Sequence, residues 1–267
     1  MRKRRRPRGE RKRGIYVLPN LITTASMLSG FFAIISSVEG RFEHAALAIV
    51  AASLFDALDG RIARLTKTES NFGTEYDSLS DLLSFGLAPA VLAYMWALKP
   101  YGRFGWLAAF LFTACGALRL ARFNAQKSST DSSYFTGLPI PAAAVFIAAT
   151  ILFYEFLSIE IKGRLAFLVM MYVLSFLMVS TVKYFSFKNL DFFRKKSFNT
   201  LVAGILLFIV VAAKPYIMVL ALIAAYVVSG PIVTYIHYKK RRSERSEESK
   251  ECQPTGAKND AAHTTRV

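Results

Sequence analysis

Apolar runs about twenty residues long make up most of this chain, and carboxylates break into two of them. Eight such runs stand at about 17–38, 43–64, 78–98, 104–124, 137–158, 163–183, 198–213 and 215–236. Each is close to the ~20 residues an α-helix needs to cross the hydrocarbon core of a bilayer. The expected fold class is therefore an all-α integral membrane protein with about eight transmembrane helices. An "AAKPY" turn separates the last two runs, because Pro215 cannot extend a preceding helix. Between runs six and seven, "KYFSFKNLDFFRKKS" (183–197) is aromatic and basic, the pattern of an interfacial segment.

Composition agrees, at 54% hydrophobic over 267 residues, more than a soluble domain of this size carries. The net charge of +16 is concentrated at the two ends. A basic arm suggests nucleic acid, but no nucleic-acid-binding motif accompanies it, so no such partner is expected. Basic flanks beside spans are better explained by the cytoplasmic face of a membrane and its anionic lipids. The first apolar run is too long for a cleavable signal peptide. Three units follow: a basic cytoplasmic tail over 1–14, a membrane domain over 15–238, and a polar C-terminal tail over 239–267, expected to be disordered. Cys115 and Cys252 suggest neither a disulfide framework nor a zinc site. His44, His237 and His263 are too scattered for a histidine-rich metal site.

Orientation follows from the lysines and arginines. With the N-terminus inside, only Arg41, Lys99, Arg103, Lys162, Arg164 and Lys214 fall on the outer side; the remainder of the 34 fall inside. Both termini and the Asp-rich connection are expected on the cytoplasmic side.

The stretch that conflicts with a lipid environment is "DALDGRIARLTKTESNFGTEYDSLSD", 56–81. A charge within a membrane helix costs roughly 2.5–3.5 kcal/mol on insertion scales, so four aspartates in one hairpin call for a function. Asp56 and Asp59 are spaced i, i+3, and Asp77 and Asp81 i, i+4, so each pair lies on one helix face. On antiparallel neighbours the pairs can face each other, where they repel unless a cation sits between them. Oxygen-only ligands favour Mg²⁺ or Mn²⁺, and four carboxylates can hold two such ions, an arrangement suited to phosphoryl chemistry. Gly60 lets a ligand approach the backbone, Arg64 one turn on can grip a phosphate, and Gly73 lets the connecting turn bend. Two competing readings are interfacial salt bridges with Arg61, Arg64 and Lys67, and an ion path in a transporter. Three bases do not account for the regular spacing of four acids, and transporter sites lie nearer the bilayer midplane.

The pattern D-x2-D-G-x2-A-R-x8-G-x3-D-x3-D, from Asp56 through Asp59, Gly60, Ala63, Arg64, Gly73 and Asp77 to Asp81, resembles without departure the signature of the CDP-alcohol phosphatidyltransferases. Runs one to six match that family's shared core, which leaves two C-terminal helices beyond it. The resemblance implies attack by an alcohol hydroxyl on the lipid-linked phosphorus of a CDP-lipid, with release of CMP. It implies that Asp56, Asp59, Asp77 and Asp81 ligate the metals and that Asp81 also serves as general base. Gly60, Arg64, Ser70 and Gly73 are then CDP-contacting positions. "PNLIT" suggests Asn20 and Thr23 as further nucleotide contacts, against the ordinary alternative of Asn20 as a helix N-cap after Pro19. The family also implies a homodimer.

For the acceptor, "RLARFN" and "GLPIPAAA" resemble the bacterial serine-using members of the family, as do "SGP" at Ser229–Pro231 and eight spans instead of six. CDP-diacylglycerol and L-serine are the expected substrates. Arg119 and Arg122, i, i+3 at the end of run four, can pair with a carboxylate, with Asn124 beyond them; the plainer reading is positive-inside anchoring. Glycerol 3-phosphate or an inositol phosphate as acceptor would also suit arginines. An intramembrane prenyltransferase, with its acidic motifs far apart in sequence, fits this compact stretch less well.

Overall fold

A helix that crosses lipid satisfies its own backbone but leaves its polar side chains to find partners in neighbouring helices. The computed structural model describes residues 17–66, 70–126, 134–157, 164–185 and 214–251. They form seven helical segments and one short strand pair: α1 (Val17–Val38), α2 (Phe42–Thr66), α3 (Asn71–Tyr101), α4 (Arg103–Gln126), β1 (Tyr134–Thr136), α5 (Ile140–Leu157), α6 (Arg164–Val179), β2 (Lys183–Phe185) and α7 (Pro215–Glu251). Helices α1, α3, α4, α5 and α7 are long and apolar enough to cross a membrane. Helix α2, at 25 residues, has the length, but its second half carries the acids. Helix α6 is apolar and shorter, at 16 residues. The expected span at 198–213 lies outside the described residues. The protein is an all-α membrane protein, as its sequence predicts.

Small side chains let the helices approach closely. Ser26 and Ser29 of α1 donate to the carbonyls of Ala52 and Ala48 on α2, at 3.0 and 2.9 Å. Ser80 and Ser84 of α3 donate to the carbonyls of Thr23 and Ser26 on α1, at 3.2 and 3.1 Å. A Cβ on Gly30 would fall 2.5 Å from the Ser84 hydroxyl, so a side chain there would push α1 and α3 apart. Ala33, Ala45, Ile49, Leu92, Phe112 and Ile147 fill the interior. Large apolar side chains such as Leu28, Phe110 and Phe176 face outward, as a lipid environment permits.

Three features depart from the expected spans. Helix α3 begins at Asn71, seven residues before the apolar run, because Ser70 caps it by accepting from the Gly73 N–H. It is also not a uniform α-helix. Wide π turns run over Leu82–Leu87 and Tyr94–Leu98, and the end over Lys99–Tyr101 is a 3₁₀ turn. Pro89 has no N–H to donate one turn back, and its ring crowds that carbonyl; the widened turn before it absorbs the mismatch. The first α-helical stretch thus ends at Asp81, and α-helical geometry returns over Ala88–Ala93 between the two π turns. Third, α7 continues to Glu251, past the expected end of its span at 236. Lys, Arg and Glu dominate 239–251, all good helix formers, and no Gly or Pro interrupts them. Helix α7 starts at Pro215, where proline's fixed φ suits the first helical position.

The strand pair was not anticipated. Tyr134, Phe135 and Thr136 pair antiparallel with Phe185, Tyr184 and Lys183. Only 183–185 of the expected interfacial segment is described, and it serves as this second strand. Gly137 closes the ladder with φ +85°, donating its N–H to the Val182 carbonyl at 2.8 Å. A Cβ there would meet the Met178 carbonyl at 2.3 Å.

Candidate active site and metal centre

Helix geometry brings the four aspartates together. Asp56 and Asp59 lie one turn apart on the second half of α2, and Asp77 and Asp81 one turn apart on α3. Carboxylate oxygens of Asp56, Asp59 and Asp77 all lie within 4.8 Å of one another. Asp81 adjoins this group, close enough to Asp56 for the two carboxyl groups to interact. The ion-sized cluster is thus a triad, with the fourth predicted ligand directly beside it. Three converging carboxylates with no His or Cys among them make a hard-donor set that can hold a metal ion.

Asp59 is 4% exposed, and its Oδ2 accepts from the Thr23 hydroxyl at 2.8 Å. Thr23 is itself buried, and its hydroxyl also lies 3.1 Å from the Pro19 carbonyl, while its own carbonyl accepts from Ser80. One residue of α1 therefore ties α2 and α3 together at the acids. The sequence suggested Thr23 as a nucleotide contact; in the structure its hydroxyl is engaged with Asp59. Thr23→Val keeps the volume and removes the donor. The expected result is a metal affinity ~10–100-fold weaker, the usual range for losing a group that orients a ligand. Thr23→Ser should restore it. Mn²⁺ titration of the purified protein, followed by electron paramagnetic resonance, measures this without turnover. A Val variant that binds Mn²⁺ as tightly as wild type would show that Thr23 does not position Asp59.

The other predicted positions separate into two groups. Arg64 is exposed, and its Nε donates to the Gly60 carbonyl at 2.8 Å. At the start of α3, a Cβ on Gly73 would lie 3.1 Å from the Ser70 hydroxyl and 3.4 Å from the Asn20 Oδ1. Asn20, Ser70 and Gly73 thus meet at one helix N-terminus, the end whose free N–H groups favour anions. Helix α1 already begins at Val17, so Asn20 sits inside it and is not its N-cap. Thr24 and Tyr76 share a hydrogen bond of 2.9 Å beside this point.

At the end of α4 the three acceptor candidates diverge. Arg122 donates through Nη1 to the Val179 carbonyl at 3.1 Å and so joins α4 to the end of α6. Asn124 donates to the Ser78 hydroxyl at 2.9 Å and joins α4 to α3. Arg119 is half-buried, and its buried Nε has no hydrogen-bond partner among the described residues. Its charge interacts with those of Asp81 and Arg122. Ser78, Ser80 and Tyr76 escaped the sequence reading. Their one available signal was position: each lies on α3 between or beside the motif acids.

Residues 16–179 match the model of the CDP-alcohol phosphatidyltransferase family. Among curated proteins, the chain is 42% identical over 178 residues to CDP-diacylglycerol–serine O-phosphatidyltransferase of Helicobacter pylori, covering 66% of this chain and 74% of that one. It is 40% identical over 171 residues to archaetidylserine synthase of Methanothermobacter thermautotrophicus, covering 62% and 69%. It is 35% identical over 174 residues to CDP-diacylglycerol–serine O-phosphatidyltransferase of Bacillus subtilis, covering 64% and 92%.

Proposed function

Because the chain belongs to the CDP-alcohol phosphatidyltransferase family, we propose that it is a phosphatidylserine synthase, moving the phosphatidyl group of CDP-diacylglycerol onto the hydroxyl of L-serine and releasing CMP. The observation that carries this reading is the converging aspartate cluster, held between two helices in a chain whose relatives bear that activity in their names.

The residues divide the work. Arg64, Gly60 and the α3 N-terminus with Asn20, Ser70 and Gly73 bind the cytidine diphosphate. The backbone is bare at both glycines and the helix end attracts the anion. Asp56, Asp59 and Asp77, with Asp81 beside them, hold divalent ions, Mg²⁺ or Mn²⁺ and two in number. When bound, these ions neutralise charge on the diphosphate and lower the pKa of a nearby hydroxyl. The serine oxygen attacks the phosphorus that carries diacylglycerol. The bond from that phosphorus to the CMP oxygen breaks, and CMP leaves with the electron pair. Asp81 takes the hydroxyl proton, a role that puts the base next to the cluster and not inside its three-oxygen core. Arg119, with donors to spare, pairs with the serine carboxylate, while Arg122 and Asn124 keep the α3–α4–α6 corner in place.

Membranes incubated with CDP-diacylglycerol should release CMP only when serine is added. Release driven instead by glycerol 3-phosphate would keep the family chemistry and replace the acceptor; no acceptor-dependent release would sink the reading. The protein works in the bacterial inner membrane as a homodimer, with termini and acids in the cytoplasm. In a variant lacking Cys115 and Cys252, a cysteine at the exposed position Lys99 should then react with an impermeant maleimide in intact spheroplasts. Reaction only after permeabilisation would mean the opposite topology.

A further inference from the structure

Asn124 closes the polar end of α4 onto α3, and the bond it makes fixes which way its amide points. Its Nδ2 lies 2.9 Å from the Ser78 hydroxyl, and that hydroxyl lies 3.0 Å from the Thr74 carbonyl. A carbonyl only accepts, so Ser78 gives its one proton to Thr74 and accepts from Asn124. The nitrogen end of the amide is therefore the end on Ser78, and the oxygen end is turned elsewhere. Among the described residues the Asn124 side chain makes that one hydrogen bond, so Oδ1 keeps two lone pairs to offer. Both side chains are half-buried, in surroundings where an unpaired polar group costs free energy. Ser78 follows Asp77 directly and stands one turn before Asp81 on α3. Side chains so spaced are neighbours, with about 5–6 Å between their Cβ atoms. The bond to Ser78 thus brings the Asn124 amide from α4 to the edge of the acid cluster, on the side of Asp81.

Resting on the reading of serine as the acceptor and Asp81 as its base, we propose that Asn124 Oδ1 accepts a hydrogen bond from the acceptor's ammonium group and so selects an amino acid over other hydroxy acids. In serine the hydroxyl and the ammonium stand on adjacent carbons. A hydroxyl placed at Asp81 for proton transfer therefore holds the ammonium within a helical turn of that carboxylate, where Asn124 stands. An ammonium carries three donors and no lone pair, so it needs acceptors, and the arginines at this end of α4 have only donors. The cluster's carboxylates are taken up by metal ions in this reading. A neutral amide oxygen meets the ammonium without adding another negative charge beside them. The two ends of one side chain then do different work, the nitrogen bracing α4 on α3 and the oxygen reading the substrate. A hydroxy acid without the ammonium leaves Oδ1 unpaired, and sites built on such hydrogen bonds reject analogues that lack the partner.

L-Serine and 3-hydroxypropanoate, which is serine without its ammonium group, are the two probes. In the purified full-length protein, Asn124→Ala should raise the KM for serine about 10- to 100-fold, the loss of one charge-assisted hydrogen bond. The KM for CDP-diacylglycerol should stay unchanged, and so should the affinity for 3-hydroxypropanoate, measured as a substrate or as a competitor of serine. The preference for serine should therefore narrow. A parallel loss for both acceptors overturns the proposal, because a brace acts on both alike, and so does a loss for neither. Ser78→Ala breaks the same interhelical bond and spares Oδ1, so it should cost serine less than Asn124→Ala does. Equal losses would make the bond to Ser78 the whole role of Asn124 and overturn the proposal too. If the wild-type protein releases no CMP with serine, this proposal falls together with the acceptor reading. If it turns serine over and Asn124→Ala is indifferent to the ammonium, the proposal for Asn124 falls alone.

Discussion

Asp77→Asn and Asp56→Asn should each abolish detectable turnover while the protein still inserts and folds. Asparagine keeps the volume of aspartate and one of its oxygens, so packing is conserved. What is lost is one negative charge from a group whose oxygens lie within 4.8 Å of one another. Changing a residue that merely orients a metal ligand costs ~10–100-fold in affinity, and loss of a ligand itself should exceed that. The unliganded protein should respond in the opposite sense. Converging carboxylates repel, so removing one charge relieves the empty cluster. The variants should be at least as heat-stable as wild type without metal and should gain little stability when Mn²⁺ is added, whereas wild type gains in proportion to occupancy. Thermal melts with and without Mn²⁺, beside CMP-release assays, give both readouts. Near-normal activity in either variant would sink the metal-centre reading. Asp77→Asn is the cleaner of the two, because Asp56 also interacts directly with Asp81, the proposed base.

Asp81→Asn should behave differently. If Asp81 takes the proton, its loss removes a general base, an effect of about 10²–10⁴ in rate. The nucleotide contacts are elsewhere: Arg64 over Gly60 on α2, and Asn20, Ser70 and Gly73 at the start of α3. CDP-diacylglycerol should therefore bind nearly as well as to wild type. The triad of Asp56, Asp59 and Asp77 stays complete, so Mn²⁺ should bind with a smaller loss than in Asp77→Asn. A variant that turns over within about tenfold of wild type would mean that the proton goes elsewhere. One that loses Mn²⁺ as fully as Asp77→Asn would make Asp81 chiefly a ligand.

The apolar runs and the spacing of the acids are one-dimensional signals, and they were sufficient for much of the outcome. Run length predicted the spans, because hydrocarbon thickness sets the length of a helix whatever it packs against. The i, i+3 and i, i+4 spacings put Asp56 with Asp59 and Asp77 with Asp81 on shared faces, because helical periodicity is local. The facing of the two pairs also followed, since a short connection makes α2 and α3 neighbours. Local signals were weaker where one residue changes the backbone. Pro89 was in plain view, but whether it kinks, breaks or widens a helix depends on what the neighbours can accommodate.

What only the tertiary structure decided are pairings between distant parts of the chain. Thr23 reaches Asp59 across 36 residues, Asn124 reaches Ser78 across 46, and Tyr184 reaches Val227 across 43. In a soluble helix an apolar stripe tells which face turns inward. Here the lipid-facing and core-facing sides are both apolar, so no stripe marks where each helix meets the next. Contact faces in lipid are chosen by small residues and a few hydrogen bonds, such as Gly30 against Ser84 and Gly230 against Tyr184. Those choices sort three similar-looking residues at the end of α4 into two that brace the fold, Arg122 and Asn124, and one, Arg119, whose buried Nε stays without a partner among the described residues. The spacing of these side chains along one helix holds no trace of that division, because it is set by what α3, α6 and α7 bring to them.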